Sequence, residues 1–432
     1  MTRSTVSNRV ALALVTSIFF MWGFITVLND VLIPHLKSVF ALSYFQAMLV
    51  QFIFFGAYFV MSLPSGRVLA RFGYRASIAI GLATAGFGAL LFVPAAKLAA
   101  YELFLVALFV LASGITLLQV AANPYVSLLG EPRYASSRLN LAQALNSLGT
   151  TLAPKLGGLV ILGGAVLGAN ELAQLAPDAR LAYQVAKADL VSGPYVVLAA
   201  TLFVLAAVVG ACRLPALIEA TEQADSRPHT FGEVWRRRHV RLGVVAIFLY
   251  VGAEVSIGSF LINYLSMPDI GGITEAEAAG YVSLYWGGAM VGRFAGFALA
   301  RRYDPARLLS GAAVIATLLV ATTIATTGSP AVWSVVAIGL FNSIMFPTIF
   351  TLGIARLGPL TEKAASLLIM AIVGGAIVPL LQGALADRIG VQLAFVLPLV
   401  CYAYIVFYGL NGARVAGGAA APASGAIPAS LH

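Results

Sequence analysis

Two carboxylates stand where carboxylates are costly. Of the 17 acidic residues, only Asp30 and Glu254 lie deep inside long apolar stretches, ALALVTSIFFMWGFITVLNDVLIPHL and LGVVAIFLYVGAEVSIGSFLINYL. An ionised group in hydrocarbon costs several kcal/mol, so such a residue faces a water-filled cavity and handles an ion or a substrate, or it pairs internally. Lys155 and Arg293 are the basic residues placed to serve as internal partners. Amides form a second set. Gln119 and Asn123 are four apart, Gln143 and Asn146 three apart, so each pair shares one helix face. Asn342, Asn29, Gln51 and Asn263 are further candidates. A buried amide left unpaired costs about 1–3 kcal/mol, so a cavity lined by amides rewards a hydroxyl-rich guest. The competing reading is that these amides hydrogen-bond helix to helix. Trp22, in MWGF, and Trp286, in YWGG, could stack on the flat apolar face of such a guest, against plain core or lipid packing.

The elements that must carry these residues are membrane spans. The chain has 432 residues, 60% hydrophobic and 10% charged, with mean hydropathy +0.93; a soluble domain carries roughly 25% charged residues. Twelve stretches have the length that crosses a bilayer as helix: approximately 10–36, 44–66, 76–96, 102–129, 139–168, 191–213, 240–266, 277–300, 307–327, 331–355, 364–386 and 391–411. Helix is the open-ended element that satisfies its own backbone in lipid, so the expected architecture is an all-α membrane protein. No cleavage site follows the first apolar stretch, which reads as a span and not a signal peptide. Cys212 and Cys401 lie far apart within apolar spans and read as small core residues, neither a metal motif nor a disulfide framework.

Lys and Arg placement orients the bundle. Arg3, Arg9, Arg67, Arg71, Arg75, Arg133, Arg138, Arg236, Arg237, Arg238, Arg241, Arg301, Arg302, Arg307, Arg356, Lys363 and Arg414 fall on one side, which predicts that both termini are cytoplasmic. The formal net charge of +9 is thus a topology signal, and no soluble recognition module accompanies it that would suggest nucleic acid. The longest polar stretch, near Pro215 to His239, divides the chain. The expected units are residues 1–213, a cytoplasmic linker 214–239 with a short surface helix, residues 240–413, and a disordered tail 414–432 rich in Ala, Gly and Pro. Weak repeats relate the halves: Pro124 and Gly130 against Pro347 and Gly353, and Gly149, Pro154 and Gly158 against Gly374, Pro379 and Gly383. Two related six-helix halves around a central site imply alternating access by rocking.

At this point the chain resembles the major facilitator superfamily, and within it the fucose–galactose–glucose branch. The residues that carry the resemblance are FFMWGFITVLNDVLIPHLK (Phe19–Lys37), QVAANPYVSLLG (Gln119–Gly130), SRLNLAQALNSLGTTLAP (Ser137–Pro154), YVGAEVSIGSFL (Tyr250–Leu261), FNSIMFPTIFTLGIARLG (Phe341–Gly358) and AIVGGAIVPLLQGALADRIG (Ala371–Gly390). The combination looks closest to bacterial glucose/galactose transporters. The resemblance implies twelve helices in two pseudo-symmetric bundles and uptake of a monosaccharide coupled to proton or sodium entry. It makes Asp30 match the Asp of the fucose permease LND string. The second proton-linked acid of that permease falls on Gln119, while Glu254 stands where the permease has Gln, so the carboxylate is redistributed from the fourth span to the seventh. Asn146 matches a sugar-contacting Asn, with Gln143 beside it. The superfamily loop motif G-x-x-x-D-R-x-G-R-R is degenerate: Gly66, Arg71, Gly73 and Arg75 fit, but Ala70 replaces the Asp.

The expected site therefore comprises Asp30 and Glu254 for cation coupling, and Gln119, Asn123, Gln143, Asn146, Asn342, Trp22 and Trp286 for substrate, with no catalytic or metal-ligating residue and no cofactor. N-acetylglucosamine or L-fucose remain alternative substrates, because amide positions alone do not fix a hydroxyl pattern. A membrane enzyme is the rival class; the histidines His35, His229, His239 and His432 make no HExxH pattern, and no phosphate loop is present. A channel or sensor is a third class. The expected partners are a monosaccharide and the lipid bilayer of a bacterial-type inner membrane, with the chain acting as a monomer.

Overall fold

The computed structural model describes residues 8–40, 42, 44–161, 174–212, 214–215, 229–273 and 275–415; inside its helices the side chains of Asn29, Asp30 and Lys155 lie outside the described set. Residues 216–228 of the linker and 416–432 of the tail also fall outside it. The described chain is helical throughout. Its helices are α1 (Asn8–Phe40), α2 (Tyr44–Lys97), α3 (Tyr101–Leu128), α4 (Ala135–Ile161), α5 (Pro177–Ala188), α6 (Ser192–Ala211), α7 (Phe231–Arg236), α8 (Arg238–Leu265), α9 (Glu275–Leu299), α10 (Pro305–Ala325), α11 (Gly328–Asn342), α12 (Met345–Gly353), α13 (Thr361–Met370), α14 (Gly374–Ile389), α15 (Val391–Ala394) and α16 (Val396–Phe407).

Helix meets the expected spans over the described residues; positions 162–168 of the fifth expected span, 139–168, lie outside them. Among the described residues nine stretches are long and apolar enough to cross a bilayer, and one of them, Leu49–Lys97, covers two expected spans. The break within α2 is Gly73, at φ 71° and ψ 175°, a backbone conformation that costs a residue with Cβ far more than glycine. The spans α4 and α9 are not among the nine; α4 carries Asn140, Gln143 and Asn146, and α9 carries Glu277 and Arg293. The tenth and eleventh spans are interrupted. Ser343 and Ile344 separate α11 from α12, and a 3-10 turn at Ala371–Val373 separates α13 from α14. Periodicity predicts neither interruption.

Two elements flank the bundle. The expected short linker helix is α7, where the Thr230 side chain accepts a hydrogen bond from the Glu233 backbone N–H, a capping box. His229 Nδ1 lies 3.1 Å from Glu233 Oε2 and holds that carboxyl below its usual pKa. The other is α5, in a stretch expected to be loop. Its Gln184 Nε2 donates to Val39 O (3.2 Å), and His35 Nε2 lies 3.1 Å from Lys187 O, so it packs on the end of α1.

Small residues set the helix approaches, as is usual where packing and not water exclusion drives association. A Cβ at Gly149 of α4 would collide with the Phe20 carbonyl of α1, and a Cβ at Gly374 of α14 would collide with the Phe248 carbonyl of α8. The reciprocal glycines repeat the pattern: Gly23 abuts Asn146, and Gly252 abuts Val378. The repeat that pairs Gly149 with Gly374 thus has a physical content, one backbone-to-backbone contact used twice.

The first six spans meet the last six on the side where the linker runs. Ser62 Oγ donates to Ser366 O, Ser136 Oγ lies 3.3 Å from Thr348 Oγ1, and Ser137 Oγ donates to Phe297 O at 2.8 Å. Gly66 packs on Ser366 and Gly296 on Asn140. Arg138 seals the turn before α4 by donating to Val126 O (3.0 Å), Ser127 O (2.5 Å) and Glu131 O (2.8 Å), which satisfies the carbonyls at the end of α3.

Candidate functional site

Five of the expected residues form one patch between α1, α3 and α4. Gln119 Nε2 donates to the Tyr58 hydroxyl of α2 at 2.8 Å. One turn on, Asn123 Nδ2 donates to Gln119 O at 3.0 Å, and its Oδ1 faces Gln143 Nε2 at 3.5 Å. Asn146 Nδ2 donates to Phe19 O at 2.9 Å. The Phe19 ring lies 4.2 Å, centroid to centroid, from Trp22. All five are nearly or fully buried, with Asn123 at 0% exposure and Asn146 at 7%. The amide nitrogens are thus used inside the protein. The side-chain carbonyls of Gln119, Gln143 and Asn146 accept no hydrogen bond among the described residues, which leaves three acceptors in one patch.

The second patch, on α8, α9, α11 and α16, is ionic and phenolic. Glu254 Oε1 lies 3.7 Å from Arg293 Nη2, with side chains 12% and 11% exposed. That is an ion pair longer than a hydrogen bond, and Oε1 takes no hydrogen bond. Arg293 is also held by Ser343 O, 3.3 Å from its Nε. Asn342, fully buried, donates to the hydroxyls of Tyr285 (2.7 Å) and Tyr402 (3.3 Å) and leaves its own Oδ1 unpaired. Tyr285 in turn lies 3.4 Å from Glu254 O and edge-on to Trp286, centroids 5.2 Å apart. The Trp286 ring rests against Gly258, whose added Cβ would lie 3.2 Å from Cζ2. Trp286 is 36% exposed where Trp22 is 5% exposed, so Trp286 alone of the two leaves a sizeable part of its side chain uncovered by protein.

One contact joins the patches. Arg293 donates through Nη1 to the hydroxyl of Ser147, the residue next to Asn146. A single guanidinium therefore touches α4 of the first half and Glu254, on α8, of the second. The structure brings together Trp22, Gln119, Asn123, Gln143, Asn146, Glu254, Asn342 and Trp286. The α1 backbone places Asp30 two turns beyond Trp22; its side chain lies outside the described residues. Of the further candidates, Asn263 is exposed and Gln51 half-buried. Sequence reasoning misses Tyr58, Tyr285, Tyr402 and Ser147. Aromatic and hydroxyl residues abound in apolar spans, and no spacing separates these four from their neighbours.

Comparison with known proteins gives the family. The profile of the Major Facilitator Superfamily matches residues 10–368. The glucose/galactose transporter of Brucella abortus biovar 1 is 53% identical over 404 residues, 94% of each chain. The L-fucose-proton symporter of Escherichia coli is 35% identical over 402 residues, 92% of this chain and 91% of that one. A crystal structure of the transporter FucP in the outward conformation superposes with a TM-score of 0.86 at 34% identity, covering 94% of this chain and 99% of that one. The fold, its spans and the family profile agree: this chain belongs to the Major Facilitator Superfamily.

Proposed function

We propose that the chain takes up a monosaccharide, glucose or galactose, together with a cation, by alternating access across a bacterial-type inner membrane. As a member of a transporter superfamily it is a multi-pass membrane carrier and not an enzyme. The observation that carries the sugar reading is the pair of patches that Arg293 joins through Ser147: side-chain acceptors of Gln119, Gln143 and Asn146 in one, Trp286, Asn342 and the Glu254–Arg293 pair in the other. Hydroxyl donors satisfy acceptors that otherwise stay unpaired, and a partly exposed indole suits the C–H face of a pyranose. The extended similarity to a glucose/galactose transporter favours that sugar class over L-fucose and N-acetylglucosamine.

In this reading Asp30 and Glu254 are the cation-coupling acids. Arg293 is the internal counter-charge that Glu254 exchanges for a cation, and it reports that exchange to the first half through Ser147. Contacts on the linker side close the halves there, which corresponds to a carrier open to the opposite side. The excess of Lys and Arg on the linker side makes that side cytoplasmic, with both termini. The halves are residues 1–213 and 240–413, joined by the linker 214–239, and one chain suffices for transport.

The test is entry of radiolabelled glucose and galactose into proteoliposomes, competed by unlabelled N-acetylglucosamine and L-fucose. Competition by glucose and galactose alone supports the assignment. Full competition by L-fucose with none by galactose reassigns the substrate, and no saturable entry of any of them removes the sugar reading.

A further inference from the structure

A cavity of about 290 Å³ opens between the halves on the linker side, lined by Gly66, Arg67, Ala70 and Arg71 of α2, Phe231 of α7 and Lys363 of α13. Three of its six lining residues are cations and none is an acid. The superfamily loop motif carries an Asp at the position occupied here by Ala70, so the carboxylate that would neutralise this corner is replaced by a methyl group. Among the described residues Arg67, Arg71 and Lys363 make no ion pair; Arg71 lies only over the Phe72 ring, 5.4 Å from its centroid. The nearby acids are otherwise placed. Glu233 is held by His229 and Thr230, and Glu362, beside Lys363, has its own interactions, its backbone oxygen taking the Ser366 hydroxyl.

Two guanidinium forks and an ammonium around a small cavity make a recognition set for a phosphate group: arginine binds its oxygens in pairs, and lysine acts as a point charge. The volume, near the lower end for small-molecule sites, suits a phosphate group and not a large ligand. The cations also come from both halves, Arg67 and Arg71 from the first and Lys363 from the second. We propose that this cavity is a phosphate site whose occupancy ties the halves together on the linker side and holds the carrier in the conformation seen here. An anion that binds only the closed arrangement stabilises it by mass action and slows the return half of the cycle. The proposal rests on the carrier reading above and adds to it a brake worked from the linker side.

The test uses the full-length protein in phosphatidylcholine vesicles, with sugar counterflow as the readout because it needs no ion gradient. Inorganic phosphate on the linker side, at ten times its Kd, is expected to slow counterflow roughly tenfold relative to chloride at equal ionic strength. It should also raise the Tm of the detergent-purified protein, and phosphate on the other side should do nothing to counterflow. Ala70→Asp, which restores the motif carboxylate, and Arg71→Ala should each abolish the difference between phosphate and chloride in both readouts. Replacing part of the lipid by phosphatidylglycerol separates the sources: slowing by that lipid to which free phosphate adds nothing assigns the site to a headgroup phosphate. Absence of slowing and of a Tm rise with either source overturns the proposal, as does slowing that survives both variants. The Tm arm needs no sugar, so a failed carrier reading, with no counterflow in any vesicle, is told apart from a failed anion site.

Discussion

The two halves share one scaffold and furnish it with different chemistry. In both, a glycine of the fifth span presses on a backbone carbonyl of the first, Gly149 on Phe20 and Gly374 on Phe248. Around that common joint the first half gathers neutral amides, Gln119, Asn123, Gln143 and Asn146, whose nitrogens are held by the protein. The second half gathers Glu254, Arg293, Asn342 and phenols. Neutral amides discriminate hydroxyl patterns but carry no charge to exchange. An ion pair held at 3.7 Å, without a hydrogen bond on Oε1, can trade its partner for a cation but reads a neutral sugar poorly. The division suggests that repeated architecture sets the geometry of rocking, while each half is free to specialise. Asp30, on α1 of the first half, is the residue that crosses this division.

The largest expected effect lies in the ionic half. Glu254→Gln strands the Arg293 charge in a nearly buried site and should cost about 3–5 kcal/mol, with most of it recovered in the double variant Glu254→Gln/Arg293→Gln. Thermal unfolding of the purified variants checks this, and an additive double variant would show the pair to be uncoupled. Next come the shared joints. Gly149→Leu and Gly374→Leu should each destabilise by about 1–3 kcal/mol or more through overpacking. A large loss at one and none at the other, read by the same unfolding measurement, would break the equivalence of the halves.

The amide half should answer in affinity. Asn146→Ala removes an acceptor and should weaken sugar binding by about 1–3 kcal/mol, roughly 5- to 150-fold, with ion coupling intact in the sugar that still enters. Titration calorimetry measures the first, and unchanged affinity would take Asn146 out of the site. The smallest effect separates the tryptophans. Trp286→Ala should reduce affinity by about 0.5–1.5 kcal/mol with little change in unfolding temperature. Trp22→Ala, buried against Phe19, should lower the unfolding temperature instead.

Much of this is legible in the chain because lipid narrows the choices. Long apolar stretches can only be helices, and two acids inside them stand out against an apolar background. The i, i+3 and i, i+4 amide pairs are visible for the same reason, and the structure places them in one patch. What escapes prediction is relational. The interruption at Ser343–Ile344 precedes Pro347, whose missing N–H frees the Ser343 carbonyl for Arg293, and the one at Ala371–Val373 ends at Gly374, yet neither residue type fixes a break on its own. The surface helix α5 reads as loop because PDARLAYQVAKA, with Asp178, Arg180, Gln184 and Lys187 in twelve residues, is too short and too weakly apolar for a span; it docks on α1 instead. Tyr58, Tyr285, Tyr402 and Ser147 become part of the site only through partners far away in sequence. Arg293 is recognisable as an internal base, but its reach to Ser147 across the halves is a property of the fold alone.

Ion entry at Asp30 and Glu254 is proposed to drive sugar against its gradient. The most direct measurement is sugar accumulation in proteoliposomes under a proton or a sodium gradient, imposed separately, for the native protein and for Asp30→Asn. The native protein is expected to concentrate glucose or galactose under one gradient only, which names the cation, and Asp30→Asn merely to equilibrate while still exchanging sugar in counterflow. Native uptake that only equilibrates under both gradients, or an Asp30→Asn variant that still concentrates sugar, would contradict that coupling.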